Sequence, residues 1–210
     1  MARYTGPVCR ICRREGHKLF LKGQRCYGPK CALEKKAYPP GQFGDARTRR
    51  RRPSDYAMQL REKQRLRAIY GVHEKPFRKY VVEAERMEGV AGENLLKLLE
   101  SRLDSVLMRA SLAASRAEAR QLISHGHITV NGQKVSVASY RLRPGDVVGV
   151  RERSRDIVPI SAAAAQGGAA SLPWLQADPE NRTATMLSLP ERADINVEID
   201  EQTIIEFYSR

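Results

Sequence analysis

The chain has 210 residues and carries 37 Lys and Arg against 24 Asp and Glu, a formal net charge of +13. A charge of that size repels itself unless a polyanion neutralises it, which favours nucleic acid as partner over an anionic membrane surface. No apolar run nears the roughly 20 residues a spanning helix needs, and Met1 to Pro7 holds no apolar signal region, so a cytoplasmic protein with no membrane contact is expected.

The charge is uneven. Residues 1–90 hold 23 basic and 9 acidic side chains, residues 91–160 hold 11 and 7, and residues 161–210 hold 3 and 8. The first part is therefore expected to face a polyanion, and the acidic end to face protein or solvent.

All four cysteines fall within the first 31 residues: Cys9, Cys12, Cys26 and Cys31. Two short-spaced pairs joined by a loop suit a tetrahedral metal, because each pair turns two sulfurs inward and the loop brings the pairs together. A disulfide framework conflicts with a reducing cytosol, and a redox pair would want a strand–helix setting that the polar neighbours of Arg10 and Ile11 do not offer. Zinc is the expected metal, with an iron–sulfur cluster as the alternative that spacing leaves open. His17 reads as a surface residue. Arg10, Arg13, Arg14, Lys18, Lys22, Arg25 and Lys30 surround the cysteines, so they are expected to lower thiolate pKa values and to offer phosphate contacts, as Arg3 does nearby.

Tyr38-Pro39-Pro40-Gly41-Gln42 is an extended connector, since two prolines and a glycine cannot propagate a helix. It leads to Arg47 and to the unbroken run Arg49-Arg50-Arg51-Arg52, which is costly without a counter-charge. Pro53 stops the run, and Ser54 or Asp55 caps a helix through about Tyr70. On that helix Arg61 pairs by spacing with Arg65, and Lys63 with Arg67. Glu62 is the one acid close by, so these cations are expected to meet phosphates. A second helix is predicted from about Pro76 to Met87. A third begins near Glu93, whose stripe Leu95, Leu96, Leu99, Leu103, Val106 and Leu107 is core.

Ser115 and Glu118 fit a capping box for a helix through about Ser124, closed by Gly126, with Arg116 and Arg120 on its outer face. Ile128-Thr129-Val130, Asn131-Gly132 and Lys134-Val135 form a strong hairpin signal, and Pro144-Gly145-Asp146 turns into a strand at Val147–Val150. Arg116, Arg120, His125, His127, Asn131, Lys134 and Arg141 decorate this module, and cations on a helix beside a hairpin can track two phosphate rows of folded RNA. No paired carboxylate or cysteine accompanies the histidines, so they read as packing or RNA contacts and not as a catalytic pair.

Arg102-Leu103-Asp104, Ser115-Arg116, Ala119-Arg120-Gln121-Leu122-Ile123 and His125-Gly126-His127-Ile128-Thr129-Val130-Asn131-Gly132 closely resemble the S-four RNA-binding domain. The start Met1 to Pro7, the cysteines, Tyr38 to Gln42, Arg52-Pro53-Ser54-Asp55-Tyr56, Leu60-Arg61-Glu62-Lys63-Gln64 and the end Ile205-Glu206-Phe207-Tyr208-Ser209-Arg210 are similar to the bacterial small-subunit ribosomal S-four family, in its metal-binding four-cysteine branch.

The resemblance implies an α+β chain in three parts. Residues 1–45 are a metal-bound extension, residues 46–100 and 172–210 a helical domain built from both chain ends, and residues 101–171 an inserted S-four domain with a small antiparallel sheet on helices. It implies a primary 16S rRNA-binding protein that nucleates the body of the small subunit. Its expected neighbours are ribosomal proteins S-five, S-three and S-twelve and the mRNA where it enters, with a bearing on translational accuracy. Glu198, Asp200 and Glu201 are the expected protein contacts, with Asp200 also placed to cap a last short helix. An RNA-modifying enzyme or tRNA synthetase with such a domain would need a catalytic domain for which there is no room. No phosphate-cradling Gly-rich loop or nucleophile–base set accompanies it, so no small-molecule substrate is expected. A free RNA chaperone or translational regulator is the remaining alternative.

Overall fold

The structure, a computed structural model, describes residues 4–42, 44, 54–165 and 172–209. Arg3, Arg47, Arg49 to Arg52 and most of the Ala-rich segment 161–171 lie outside the described residues. The chain divides into two compact units, Met1–Gly92 with Glu198–Arg210, and Glu93–Val197.

The first unit begins with α1 (Cys9–Glu15), α2 (Ala32–Lys35), α3 (Asp55–Tyr70) and α4 (Glu74–Arg86). Ser54 opens α3 by accepting from the Ala57 amide at 3.3 Å, and Gly71 closes it in the left-handed region at φ 58°. Helix α4 starts two residues before the expected Pro76. Proline fits in a first turn because the N–H it lacks would have had no helical partner there.

The second unit takes in α5 (Ala91–Glu100), which spans the division, then α6 (Leu103–Arg109), α7 (Arg116–Ser124), β1 (Ile128–Val130), β2 (Gln133–Lys134), β3 (Val147–Val150), α8 (Val158–Ala165), β4 (Leu175–Asp178) and β5 (Thr183–Met186). One continuous leucine-striped helix was expected where α5 and α6 stand. The stripe is buried throughout, but Arg102 is extended, and the Leu103 amide donates to the Tyr140 carbonyl at 2.8 Å. A tertiary hydrogen bond breaks the helix at a point that side-chain periodicity does not register.

The strands form one antiparallel sheet in the order β2-β1-β3-β5-β4. Asn131 and Gly132 both sit at positive φ, 51° and 79°, the combination a tight two-residue hairpin of this hand demands. Asn131 locks it further, its Nδ2 donating to Asp146 and its Oδ1 accepting from the Val147 amide, each at 2.9 Å. The sheet packs its buried face against α6 and α7 through Leu103, Leu107, Leu122, Ile123, Ile128, Val148, Trp174 and Met186.

The expected domain limits need correcting. Residues 172–197 do not join the helical domain, because β5 pairs with β3 and carries β4 with it, extending the sheet that β1, β2 and β3 begin. The cysteine-bearing segment belongs to the first unit, where Arg61 of α3 donates to the Arg14 carbonyl at 3.3 Å and meets Glu15 at 3.4 Å.

Helix α9 (Glu201–Tyr208) completes the first unit, opened by Asp200, whose carboxylate accepts from the Thr203 amide at 3.2 Å and hydroxyl at 2.7 Å. It docks on α3 and α4 through a charge network. The Glu74 carboxylate accepts from Lys63 Nζ at 3.1 and 3.2 Å, from Arg67 at 2.7 Å and from the Tyr208 hydroxyl at 2.5 Å. Lys63 Nζ also lies 4.5 Å from the Phe207 ring centroid.

Burial pushes the Glu74 pKa up, but hydrogen bonds from Tyr208 and Lys63 and the charges of Lys63 and Arg67 outweigh it and hold the carboxyl below its ordinary value. A depressed carboxyl contributes stability that is full above the unfolded value and is lost as pH falls through the folded one. Protection of the α9 amides in hydrogen exchange should therefore weaken on acidification below the usual glutamate range, and Glu74→Gln should remove that component of the pH dependence.

Candidate nucleic-acid interface

The basic residues divide into those the chain uses internally and those it leaves exposed. Arg13 donates to the carbonyls of Tyr38 at 3.0 Å, Lys36 at 3.2 Å and Pro39 at 3.5 Å, and lies over the Tyr38 ring. It clasps the proline connector and is not placed for a phosphate. Helix α3 needs the same correction. Lys63 is 5% exposed, Arg65 is paired with Glu62, and Arg67 binds Glu74, Gln64 and the Val72 carbonyl. The acids that satisfy them come partly from α4, so the scarcity of acids on α3 itself was a poor guide to what these cations meet.

In the second unit, Arg116 and Arg120 turn inward instead of lying on an outer face. Glu100 and Asp104 are fully buried carboxylates. Glu100 accepts from Arg109 at 2.7 and 3.1 Å and from Arg116 at 3.1 Å. Asp104 accepts from Arg102 at 2.9 and 3.0 Å and from Arg120 at 2.7 Å. Four guanidinium groups thus satisfy two buried charges, which fixes α5, α6 and α7 together; an unpaired buried carboxylate would be untenable. Arg116 also donates to Ser105 Oγ at 3.1 Å. The Ser115 cap forms as expected, accepting from the Glu118 amide at 3.3 Å, while Glu118 reaches the Ala114 amide and not that of Ser115.

His127 Nδ1 lies 2.9 Å from Ser154 Oγ, and its ring meets His125 edge-on at 6.0 Å, so one histidine packs while His125 remains exposed. Lys134 lies along Gly126, its Cε 2.3 Å from where a Cβ on that residue would stand. Glycine at 126 therefore lets the lysine cross the end of α7. Arg141 is exposed and forms an isolated bridge with Arg102.

Exposed cations with no ion pair among the described residues remain in each unit. In the first they are Arg10, Arg14, Lys22, Arg25 and Lys30 around the cysteines, Lys35 and Lys36 at the end of α2, and Lys75, Arg78, Lys79 and Arg86 along one side of α4. In the second they are Lys134, Arg143 and Arg153, and His125 is exposed as well. The α4 row was absent from the sequence expectation. Its signal was present in the spacing, because these residues repeat at three- and four-residue steps on the side opposite the buried Phe77, Val81 and Ala84.

Around the cysteines, Cys26 and Cys31 are buried, Cys9 and Cys12 half-buried, and all four thiols are free. The Lys22 amide donates to Cys26 Sγ at 3.3 Å. Burial pushes the Cys12 thiol up, Cys26, Cys9 and Cys31 push the same way, and a bond from the Leu19 backbone opposes. For Cys12 this reverses the expectation that neighbouring bases lower the pKa. Among the described residues, no group of three or more His, Cys, Asp or Glu is drawn together closely enough to hold a metal ion. His17 is exposed, as expected.

Of the acidic end, Asp200 is engaged as a helix cap, Glu201 is half-buried, and Glu198 is exposed, its carbonyl accepting from Arg65 at 3.3 Å. No helix among the described residues is long and apolar enough to cross a membrane.

A family described as the ribosomal protein S4/S9 N-terminal domain matches residues 3–100, and one described as the S4 domain matches residues 101–148. Across the whole length of both chains, the sequence is 57% identical to the small ribosomal subunit protein uS4 of Natranaerobius thermophilus and 55% identical to that of Thermus thermophilus. It is likewise 55% identical to the small ribosomal subunit protein uS4A of Symbiobacterium thermophilum.

Proposed function

Because the chain belongs to the small ribosomal subunit protein uS4 family, we propose that it is a structural, non-enzymatic component of the small subunit that binds 16S rRNA by charge and shape. The observation that carries this reading is the set of exposed cations left over after the buried carboxylates have taken theirs. The α4 row lies on a helix, Lys134 on a hairpin strand, His125 at the end of α7, and Lys22 and Lys30 in turns of the cysteine-bearing segment, so each unit presents charge that can meet phosphates. Full-length membership favours a subunit component over a free chaperone. Co-sedimentation at one copy per small subunit is the expected result, and a pool that sediments free of subunits would favour the chaperone.

The four cysteines fit a zinc site in chemistry. Their thiols influence one another, backbone amides already donate to two of the sulfurs, and none is consumed in a disulfide. Zinc would replace the thiol protons and cross-link a segment poor in apolar residues, so part of its folding would depend on metal. Metal analysis of reduced protein should find one zinc per chain, and Cys9→Ser or Cys31→Ser should loosen residues 4–42. Iron with visible absorption would assign a cluster instead, and a stoichiometric disulfide without metal would refute the site.

Exposed Glu198 suits a basic protein neighbour, where complementary charge sets orientation more than affinity. The family resemblance makes ribosomal protein S-five that neighbour, with S-three, S-twelve and mRNA nearby. Glu198→Lys should alter misreading in a reporter assay while leaving rRNA affinity within about twofold, since a rim charge on a protein face touches no phosphate. A large affinity change with wild-type misreading would contradict the assignment.

A further inference from the structure

We propose that Phe20 and Tyr27 form a platform on which an unpaired RNA base stacks. The two rings are stacked, with centroids 4.9 Å apart and planes 29° from parallel. Both face solvent, Phe20 exposed to 45% and Tyr27 to 70%, while their neighbours Leu19 and Cys26 are buried. Large rings normally take the core positions that a short segment offers; here the smaller side chains have them.

The backbone adds an independent sign. Phe20 stands at φ 51°, in the left-handed region that a bulky side chain avoids. Such conformations persist where the surroundings over-determine them, and they cluster at ligand-binding positions. Lys22 lies two residues from Phe20 in sequence, Arg25 two and Lys30 three from Tyr27, and all three are exposed and form no ion pair among the described residues. Aromatic faces among unpaired cations are what single-stranded nucleic acid requires: the cations meet its phosphates and the rings accept its bases. The inner bases of a duplex have both faces covered, so the platform selects a base that is unpaired or splayed out.

The inference rests on the RNA-binding reading and deepens it by naming an unpaired base as the ligand of this segment. The test uses the full chain and two probes of about twelve units, a length that covers a typical single-strand site: oligoadenylate and an abasic phosphodiester of equal charge. The wild-type protein should bind oligoadenylate on the order of ten- to a hundredfold more tightly, the range that stacking on aromatic side chains supplies. The double variant Phe20→Leu with Tyr27→Leu keeps apolar volume and removes the rings. It should shrink that ratio to under about threefold with abasic binding unchanged, while Tyr27→Trp should keep or raise it. Equal wild-type affinities for the two probes, or a ratio that survives the leucine substitutions, would overturn the platform and leave charge-driven RNA binding standing. Absence of salt-dependent binding to either probe would overturn both.

Discussion

Asp104→Ala is expected to destabilise the second unit by about 3–5 kcal/mol, the range for removing one partner of a buried ion pair. Asp104 is wholly buried and accepts from Arg102 and Arg120, whose side chains are 4% and 12% exposed. Without it two guanidinium groups face each other inside the protein, and α7 loses its ion pair to α6. The single tryptophan, Trp174, is 1% exposed in the core of the same unit, so its fluorescence reports the loss directly. Urea titration should show a lower midpoint at an unchanged slope. A loss below about 1 kcal/mol would be that of an exposed pair and would mean that the carboxylate is not desolvated in solution.

Neutralising Arg49 to Arg52 with glutamine is expected to flatten the salt dependence of RNA binding by a slope of roughly three, since each neutralised phosphate contributes about 0.7 to 0.9. An unbroken run of four like charges stores repulsion that RNA would relieve. The substitution removes charge and alters no apolar residue, so the thermal midpoint should stay near that of the wild type. An unchanged slope would place the run away from RNA and leave the exposed rows on the two units as the whole footprint.

Much of the fold could be read from the residues because local signals agreed with the outcome. Ser54, Gly71, Ser115 and Asn131-Gly132 each set a boundary through chemistry confined to a few neighbouring residues. What escaped was set by distant partners. Lys63 looked like a free cation because Glu74 lies on the next helix, and Arg116 looked outward because nothing in its own segment marks Glu100 as a buried carboxylate. Strands β4 and β5 are four residues each and were read as part of the helical domain; only their pairing with β3 assigns them to the sheet. For the candidate interface, counting charge located the basic part of the chain but did not separate cations that hold the fold from cations left for a partner. That separation requires knowing where every acid ends up.

The separation also bears on how the protein would bind. Arginines spent on Glu100 and Asp104 tie α5, α6 and α7 together, and Lys134, Arg143, Arg153 and His125 are exposed on the same unit. Fixed charges on a stiff surface discriminate among RNA shapes better than the same charges on a mobile tail, because little order is lost on binding.

Crosslinking the protein to RNA in cells and sequencing the RNA recovered shows whether it is a small-subunit component that binds 16S rRNA. Small-subunit rRNA should dominate, with crosslinks concentrated at a few fixed positions and peptides bearing Lys22, Lys30, the α4 row or Lys134 at the protein end. Recovery dominated by tRNA or by many unrelated mRNAs, with no fixed rRNA positions, would contradict that role.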